Sequence, residues 1–146
     1  MTSSNTNRLT TRFAIFFIAA AASLSGAVAL VACSDSEVSV NGLAVEPETI
    51  NKGESAVVSG TVSSLAELKS VSVTLLDDTD APLPADSGLT IQSNGLTSDK
   101  ISWDLRSDGD VKVVTTAAAK SGKYQIRVEG RTEEKNGIDK VSFTVR

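Results

Sequence analysis

The sequence predicts an all-β fold, a single antiparallel β-sandwich that follows an apolar N-terminal segment, and three observations support this prediction. From Val38 onward, short segments alternate polar and apolar side chains, which is the pattern of strands that bury one face. Turn-forming stretches such as residues 51–54 separate these segments at short intervals. No amphipathic helical pattern interrupts them. About eight strands at this spacing are typical of a β-sandwich.

The first half of this region contains three predicted strands and one loop. The strands lie in residues 38–45, 56–62 and 68–76. The apolar side chains expected to face the core are those of Val38, Val40, Ala56, Val58, Val62, Val71, Val73 and Leu75. The acidic segment 77–88 is expected to be a loop, because Pro82 and Pro84 fit neither a helix nor a central strand.

The second half repeats the alternating pattern. Its predicted strands lie in residues 89–91, 100–106, 111–115, 122–130 and 141–145. The side chains expected to face the core are those of Ile101, Trp103, Leu105, Tyr124, Ile126, Val128, Val141, Phe143 and Val145. The dipeptides Asn94-Gly95 and Asn136-Gly137 are predicted to form turns, the second of them at a hairpin loop. Residues 117–119 are too few for a helix of normal length and are expected to be a connection.

Residues 1–32 have the pattern of a secretory signal helix that is removed during export. Arg8 and Arg12 give a positively charged start, and residues 13–32 are uncharged and end in small side chains. An apolar stretch of about 20 residues is also long enough to cross a bilayer, so an uncleaved transmembrane anchor is an alternative. An ordinary signal peptide followed by an incidental free cysteine is another alternative.

The only cysteine of the chain closes the stretch Leu30-Val31-Ala32-Cys33. This stretch resembles the lipobox of bacterial lipoprotein precursors, with a branched apolar residue first, a small residue third and cysteine fourth. The resemblance implies that the leader is cut before Cys33, that the thiol carries a diacylglycerol, and that the new N-terminal amine can also be acylated. Because Ser34 and not aspartate follows, the resemblance favours an outer membrane, with the domain on its periplasmic or cell-surface face.

The segment Ser121–Val128 has the order small-Gly-x-Tyr-x-apolar-x-apolar and is similar to the penultimate strand of bacterial immunoglobulin-like and fibronectin-type-III-like modules. The resemblance implies an immunoglobulin-like sandwich over residues 38–146, after a short tether at residues 33–37. Unlike the disulfide-bridged members, this chain has no cysteine pair to join the sheets. Packing must therefore hold them together, with Trp103 expected at the centre. Many functions share this architecture, so it gives no specific activity.

Charge and residue types exclude several classes of function. The leader contains two of the 14 basic residues and none of the 18 acidic ones, so the chain from Cys33 onward has a formal charge of −6. Such a surface is not expected to attract nucleic acid. The sequence contains no histidine and one cysteine, which excludes Ser-His-Asp and Cys-His catalysis and nearly every zinc site. We therefore expect that the protein is not an enzyme.

Asp77, Asp78 and Asp80 form the best candidate for a metal site. Calcium takes six to eight oxygen ligands, and closely spaced aspartates on one loop can supply several of them. The more ordinary interpretation is that the acidic loop is solvated, as most charge clusters are.

Two other groups of residues have ordinary structural interpretations. Glu133 and Glu134 could suggest a carboxylate pair for glycoside hydrolysis, but they lie in a predicted exposed hairpin loop. Trp103 and Tyr124 could stack on carbohydrate, but their strand phase places both rings in the core. The acidic loop and the last hairpin loop therefore remain as the surfaces expected to carry recognition.

These observations favour a non-catalytic, membrane-anchored envelope lipoprotein that presents an immunoglobulin-like binding or structural module. Its expected partners are the membrane, through the lipid anchor, and an envelope protein, a glycan or a second copy joined through an exposed sheet edge. No cofactor is expected apart from the covalent lipid on Cys33. The alternative is a calcium- or carbohydrate-binding accessory domain.

Overall fold

Nine strands form the regular structure of the computed structural model, which describes residues 37–97 and 99–146. In chain order they are β1 (Ser39–Glu46), β2 (Thr49–Ile50), β3 (Ser55–Ser63), β4 (Ser70–Leu76), β5 (Leu89–Gln92), β6 (Ser102–Asp104), β7 (Lys112–Thr115), β8 (Gly122–Arg131) and β9 (Asn136–Val145). This described part of the chain contains no helix. The predicted leader and Cys33 lie outside it.

The strands form two sheets, and the prediction of an all-β sandwich is confirmed. In the first sheet the order is β1-β3-β7-β5, and the short β6 also pairs with β3. In the second sheet the order is β2-β9-β8-β4. The strand pairs are antiparallel except that the two-residue β2 runs parallel to β9. The chain changes sheet repeatedly, so each sheet joins strands that are far apart in sequence.

The core lies between the two sheets and consists mainly of branched aliphatic side chains. Val58 of β3 and Ile126 and Val128 of β8 are fully buried, as the alternating pattern predicts. The buried indole of Trp103 lies against Gly109, where an added Cβ would come within 2.6 Å of the ring. Four side chains predicted to face the core are half-buried at its margin, namely Val40, Val71, Val73 and Val141.

Tyr124 connects the core to the segment that precedes β8. Its ring packs against Phe143, with the ring centroids 5.8 Å apart and an interplanar angle of 31°. Its hydroxyl donates a hydrogen bond of 2.9 Å to the backbone carbonyl of Lys120. A tyrosine in a core usually places its hydroxyl on such a partner, because an unpaired buried hydroxyl is costly. The bond therefore fixes the connection into β8, and residues 117–119 form a turn and no helix, as predicted.

Ile101 is not buried, contrary to the prediction from the alternating pattern, and 57% of its surface is exposed. Strand β6 has only three residues, and its first residue, Ser102, pairs with Ser63, the last residue of β3. Neither strand continues beyond this pair, so the alternation of buried and exposed positions ends there. Trp103 and Leu105 are buried as predicted.

The hairpin between β8 and β9 is closed by residues 132–135, so the predicted turn at Asn136-Gly137 is wrong. Both of these residues belong to β9, where they pair with the last two residues of β8. Gly137 instead allows β9 to lie close to the start of β1. A Cβ at this position would collide with the backbone carbonyl of Val38, just before β1. The glycine is thus needed for packing and not for a turn.

The predicted turn at Asn94-Gly95 is also absent. Residues 93–97 follow β5 without forming a turn. The amide of Asn94 donates a hydrogen bond of 2.6 Å to the carbonyl of Gly109. An Asn-Gly pair favours a tight turn where two strands form a hairpin, whereas β5 pairs with β7 and not with the next strand. The segment therefore connects β5 to β6 within the first sheet instead of reversing the chain in a tight turn.

We expect Gly137→Ala to lower the free energy of unfolding by about 1–3 kcal/mol, which is the usual cost of overpacking. The added methyl group would meet the backbone of Val38, which cannot move aside as a flexible side chain could. Gly95→Ala is the matched control, because no described atom lies within 4 Å of its added Cβ. Urea unfolding followed by Trp103 fluorescence measures both variants. Equal stability of the two would contradict the close approach of β1 and β9.

Candidate functional site

The residues of the predicted lipid anchor, Leu30, Val31, Ala32 and Cys33, lie outside the described residues. Within the described part, no helix is long and apolar enough to cross a membrane. The structure does show where a tether from Cys33 would reach the domain. Val38 is 4% exposed and is the first buried residue of the described part, directly before β1.

A tether from Cys33 would join the sandwich at one particular end, which we call the tether end. It is formed by the start of β1 and by the loops 64–69, 99–101 and 132–135. Ser39 of β1 pairs there with Ser63, the last residue of β3. The acidic loop 77–88 lies at the opposite end, which we call the far end, because β4 finishes beside the start of β8. The two predicted recognition loops are thus at opposite ends of the domain.

The carboxylate of Asp77 organises the acidic loop. Its Oδ1 atom accepts hydrogen bonds from the Thr79 amide at 2.8 Å, the Thr79 hydroxyl at 2.7 Å and the Ala81 amide at 2.9 Å. These donors, the Thr79 hydroxyl first, hold the pKa of Asp77 below its ordinary value of 3.8. Aspartate commonly stabilises turns by bonding to backbone amides in this way. Asp77 therefore has a structural task in the loop.

The three candidate calcium ligands are not grouped around one point. Asp80 Oδ1 lies 2.8 Å from Nζ of Lys140 and forms an ion pair with it. Among residues 37–97 and 99–146, no group of three or more carboxylate, histidine or cysteine side chains is placed to hold a metal ion. Calcium binding by Asp77, Asp78 and Asp80 therefore stays a prediction, and the loop geometry adds no support for it.

Two further carboxylates, those of Asp104 and Asp108, organise the turn after β6. Gly109 of this turn lies against the buried indole of Trp103. Asp104 Oδ1 accepts hydrogen bonds from the amides of Arg106 at 3.0 Å and Ser107 at 2.8 Å. Asp108 accepts hydrogen bonds from the Asp104 amide at 2.9 Å and from Lys100 Nζ at 2.7 Å. The pKa of Asp104 is lowered chiefly by the Ser107 amide, and that of Asp108 by Lys100. Both carboxylates therefore stabilise the turn that supports the core.

The last hairpin loop borders a shallow depression at the tether end. This depression has a volume of about 340 Å³, and its lining residues are Ala66, Glu67, Lys69, Thr132, Glu133 and Glu134. Glu67 and Lys69 form an ion pair of 3.1 Å, which lowers the pKa of Glu67 and raises that of Lys69. Because both side chains are exposed by 40% or more, the pair contributes little to stability. Glu133 and Glu134 are exposed, as predicted.

Trp103 and Tyr124 belong to the core, whereas the carboxylates of the described part lie at the surface. Trp103 and Tyr124 are buried, which confirms the prediction that both rings pack in the core. The buried polar side chains among the described residues are those of Ser64 and Thr115. Every carboxylate in this part of the chain is therefore at least partly exposed to water.

The sequence pattern missed a pair of exposed apolar side chains at the tether end. Leu65 is 70% exposed and Ile101 is 57% exposed. The alternating pattern predicts Ile101 in the core, and Leu65 belongs to no alternating segment. The signal that could have identified Leu65 is its position in the polar stretch 63–67, between two strands. The same loop buries Leu68 in the core and leaves Leu65 outside it.

Comparison with known proteins does not show the family. No family model matches the chain, and no curated protein matches it. Among solved structures, the chain is similar to a conjugative transposon lipoprotein from Bacteroides eggerthii, with 11% sequence identity and a TM-score of 0.37. The match covers 75% of this chain and 96% of that chain. A similarity of this degree carries no argument about function.

We expect the domain to lose stability as the pH falls below about 4, where unfolded carboxyls take up protons. The carboxyls whose pKa is lowered in the folded state are those of Glu67, Asp77, Asp104, Asp108 and Glu129. They stabilise the fold above their unfolded pKa, and this contribution is lost as the pH drops through their folded pKa.

The measurement is urea unfolding at pH 7 and at pH 3, for the native chain and for two variants. Asp104→Asn should reduce the difference in unfolding free energy between the two pH values. The exposed Asp78→Asn is the control and should leave this difference unchanged. An unfolding free energy that is equal at both pH values in the native chain would refute the assigned role of these carboxylates.

Proposed function

We propose that this protein is a bacterial envelope lipoprotein, held to a membrane by acyl chains on Cys33, whose sandwich domain is a non-catalytic binding or structural module. The observation that carries the proposal is the lipobox-like stretch 30–33, which ends only five residues before Val38, the first buried residue of the described part. The anchor is thus followed by a short tether and then directly by a domain. A diacylated cysteine supplies two chains, which hold a protein stably where one chain would not.

The domain is proposed to be immunoglobulin-like, and the strand order supports this. The orders β1-β3-β7-β5 and β4-β8-β9 correspond to A-B-E-D and C-F-G of constant-type immunoglobulin sandwiches. The hydrogen bond from Tyr124 to the Lys120 carbonyl corresponds to the tyrosine corner at the start of strand F. Two features depart from that pattern. Ile126 stands where antibody domains have cysteine, and Trp103 lies on β6 instead of the third-strand equivalent, β4.

A non-catalytic role agrees with the chemistry of the available side chains. The sequence contains no histidine, and its one cysteine is the proposed acylation site. A carboxyl that works as a general acid near neutral pH needs a raised pKa. The pKa values of Asp77 and Asp104 are lowered instead, that of Asp77 chiefly by a hydrogen bond from the Thr79 hydroxyl and that of Asp104 chiefly by one from the Ser107 amide. These carboxyls are adapted to support turns and not to transfer protons.

The outer membrane is the proposed location of the anchor. In bacterial lipoproteins an aspartate directly after the acylated cysteine commonly favours retention in the inner membrane, and this chain has Ser34 there. The domain would then be displayed on the periplasmic or cell-surface face. Its proposed partner is an envelope protein or a glycan.

The proposal is tested by the intact mass of the full-length chain after expression in a bacterium and extraction from the membrane fraction. We expect a polypeptide that starts at Cys33 and carries two or three acyl chains. Cys33→Ala should abolish both the cleavage and the added lipid mass. Ser34→Ala is the matched control, because it changes the neighbouring residue and should leave acylation intact.

Two results of the same experiment would contradict the proposal. An unmodified mass that retains residues 1–32 would indicate a transmembrane anchor. A mass that starts at Cys33 without lipid would indicate an ordinary secretory signal.

A further inference from the structure

The exposed large apolar side chains of the described residues lie toward the tether end. They are Leu65, Ile101 and Ile138, which are 70%, 57% and 51% exposed. Leu65 lies two residues after the end of β3, and Ile101 directly precedes the first residue of β6. Ile138 is the third residue of β9, close to the hairpin loop. Scattered exposed apolar residues are ordinary, but their restriction to one end of a domain calls for a physical cause.

Leu65 and Ile101 belong to two loops that hydrogen bonds hold side by side. The Ser64 amide donates to the Ile101 carbonyl at 2.9 Å, and the Leu68 amide donates to the Lys100 carbonyl at 2.8 Å. The two apolar side chains therefore stand on neighbouring loops with a fixed spacing. A surface that binds here does not have to order the loops first, which lowers the cost of binding.

The tether from Cys33 keeps this end of the domain close to the lipid. Five residue steps separate Cys33 from Val38, and a fully extended chain covers at most about 3.6 Å per residue, or about 18 Å in total. Val38 itself is held close to β9, because its backbone lies against Gly137. The loops of the tether end therefore cannot move far from the headgroups. Such confinement raises the effective concentration of the membrane surface, so even weak insertion becomes favourable.

We propose that the tether end rests on the phospholipid surface, with Leu65 and Ile101 inserted at the boundary between headgroups and acyl chains. This inference rests on the proposed lipid anchor at Cys33. Apolar side chains bury a few ångströms into this boundary and gain free energy in proportion to the area removed from water. The anchored domain therefore has a fixed orientation, with the far end directed away from the membrane.

The charges beside the two apolar side chains favour a zwitterionic surface over an anionic one. Lys69 pairs with Glu67 at 3.1 Å, and Lys100 pairs with Asp108 at 2.7 Å. The positive charges of both lysines of these two loops are thus offset by adjacent carboxylates, so the loops carry no excess of positive charge that would attract lipid phosphates. The hairpin loop 132–135 carries Glu133 and Glu134 against one lysine, Lys135, and its net negative charge would be repelled by anionic headgroups. Apolar insertion and not charge attraction is therefore the binding force.

The test uses the acylated full-length protein, extracted from membranes and reconstituted into phosphatidylcholine vesicles. An environment-sensitive fluorophore is attached to a cysteine introduced by Ala66→Cys at the tether end or by Ala117→Cys at the far end. Both alanines are exposed, and the ends of a ten-residue strand such as β8 are about 30 Å apart. A second set of vesicles carries nitroxide groups on the acyl chains as quenchers. Intact mass confirms the acylation of each sample.

We expect the nitroxide lipids to quench the label at Ala66→Cys and to leave the label at Ala117→Cys unquenched. Adding Leu65→Ser and Ile101→Ser should lower the ratio of docked to undocked protein by about tenfold or more, because the insertion of two apolar side chains is lost. Both side chains are largely exposed in the fold, so the double variant is expected to remain folded. Replacing part of the phosphatidylcholine by phosphatidylglycerol should weaken the quenching.

Three results would overturn the inference, and they separate it from the proposed anchor. Equal quenching at both positions in acylated protein would refute the docking while the anchor stands. A blue shift at Ala66→Cys without quenching would show a protein contact, such as a second copy, in place of lipid. An unacylated mass would refute the anchor and the docking together.

Discussion

Apolar packing between the two sheets is the constraint on which the rest of the structure depends. The one cysteine of the chain precedes the domain, so no disulfide can join the sheets. Contact between them is made by side chains such as Val62 of β3, Ile126 of β8 and Val145 of β9, all of which are almost fully buried. Gly130 allows the sheets to come this close, since a Cβ there would collide with Val62. Every buried methyl group therefore contributes directly to holding the two layers together.

The polar side chains of the loops, in contrast, form hydrogen bonds mainly with residues close in sequence. Asp77 and Asp104 each bond to amides two to four residues away and so hold their own loops in place. Neither carboxylate bridges the two sheets. Each of these loops is therefore ordered by its own side chains, and the exposed positions on such ordered loops are the usual place for recognition on a rigid sandwich.

The extent to which the fold could be predicted differs from strand to strand for a physical reason. In β8 the prediction was right at Tyr124, Ile126 and Val128, because β8 has a long partner strand on each side and a complete core beneath it. At Ile101 the same pattern failed, since β6 begins only at Ser102, opposite the last residue of β3, and Ile101 lies beyond this pair. Alternation in a sequence shows which side chains share a face, but it does not show how far the opposite sheet extends.

Glycine and aspartate were harder to interpret than the apolar residues, because each serves several purposes. Gly137 has the sequence context of a hairpin turn, yet it is required by the approach of Val38, a residue about 100 positions away in sequence. Asp77 and Asp80 have the spacing of metal ligands, yet one caps a loop and the other pairs with Lys140. Such assignments depend on contacts that are distant in sequence, and only the folded chain supplies them.

The point at which the chain enters the sandwich would determine the orientation of an anchored domain. Because the chain joins the sandwich at Val38, the loops that are close to the anchor are determined by topology. A domain whose tether end rests on lipid would present the far end, with the acidic loop 77–88, to soluble or envelope partners. That loop is already ordered by Asp77, so a partner would lose little free energy in fixing it. The same short tether that would restrict the domain would therefore also direct the acidic loop 77–88 away from the membrane.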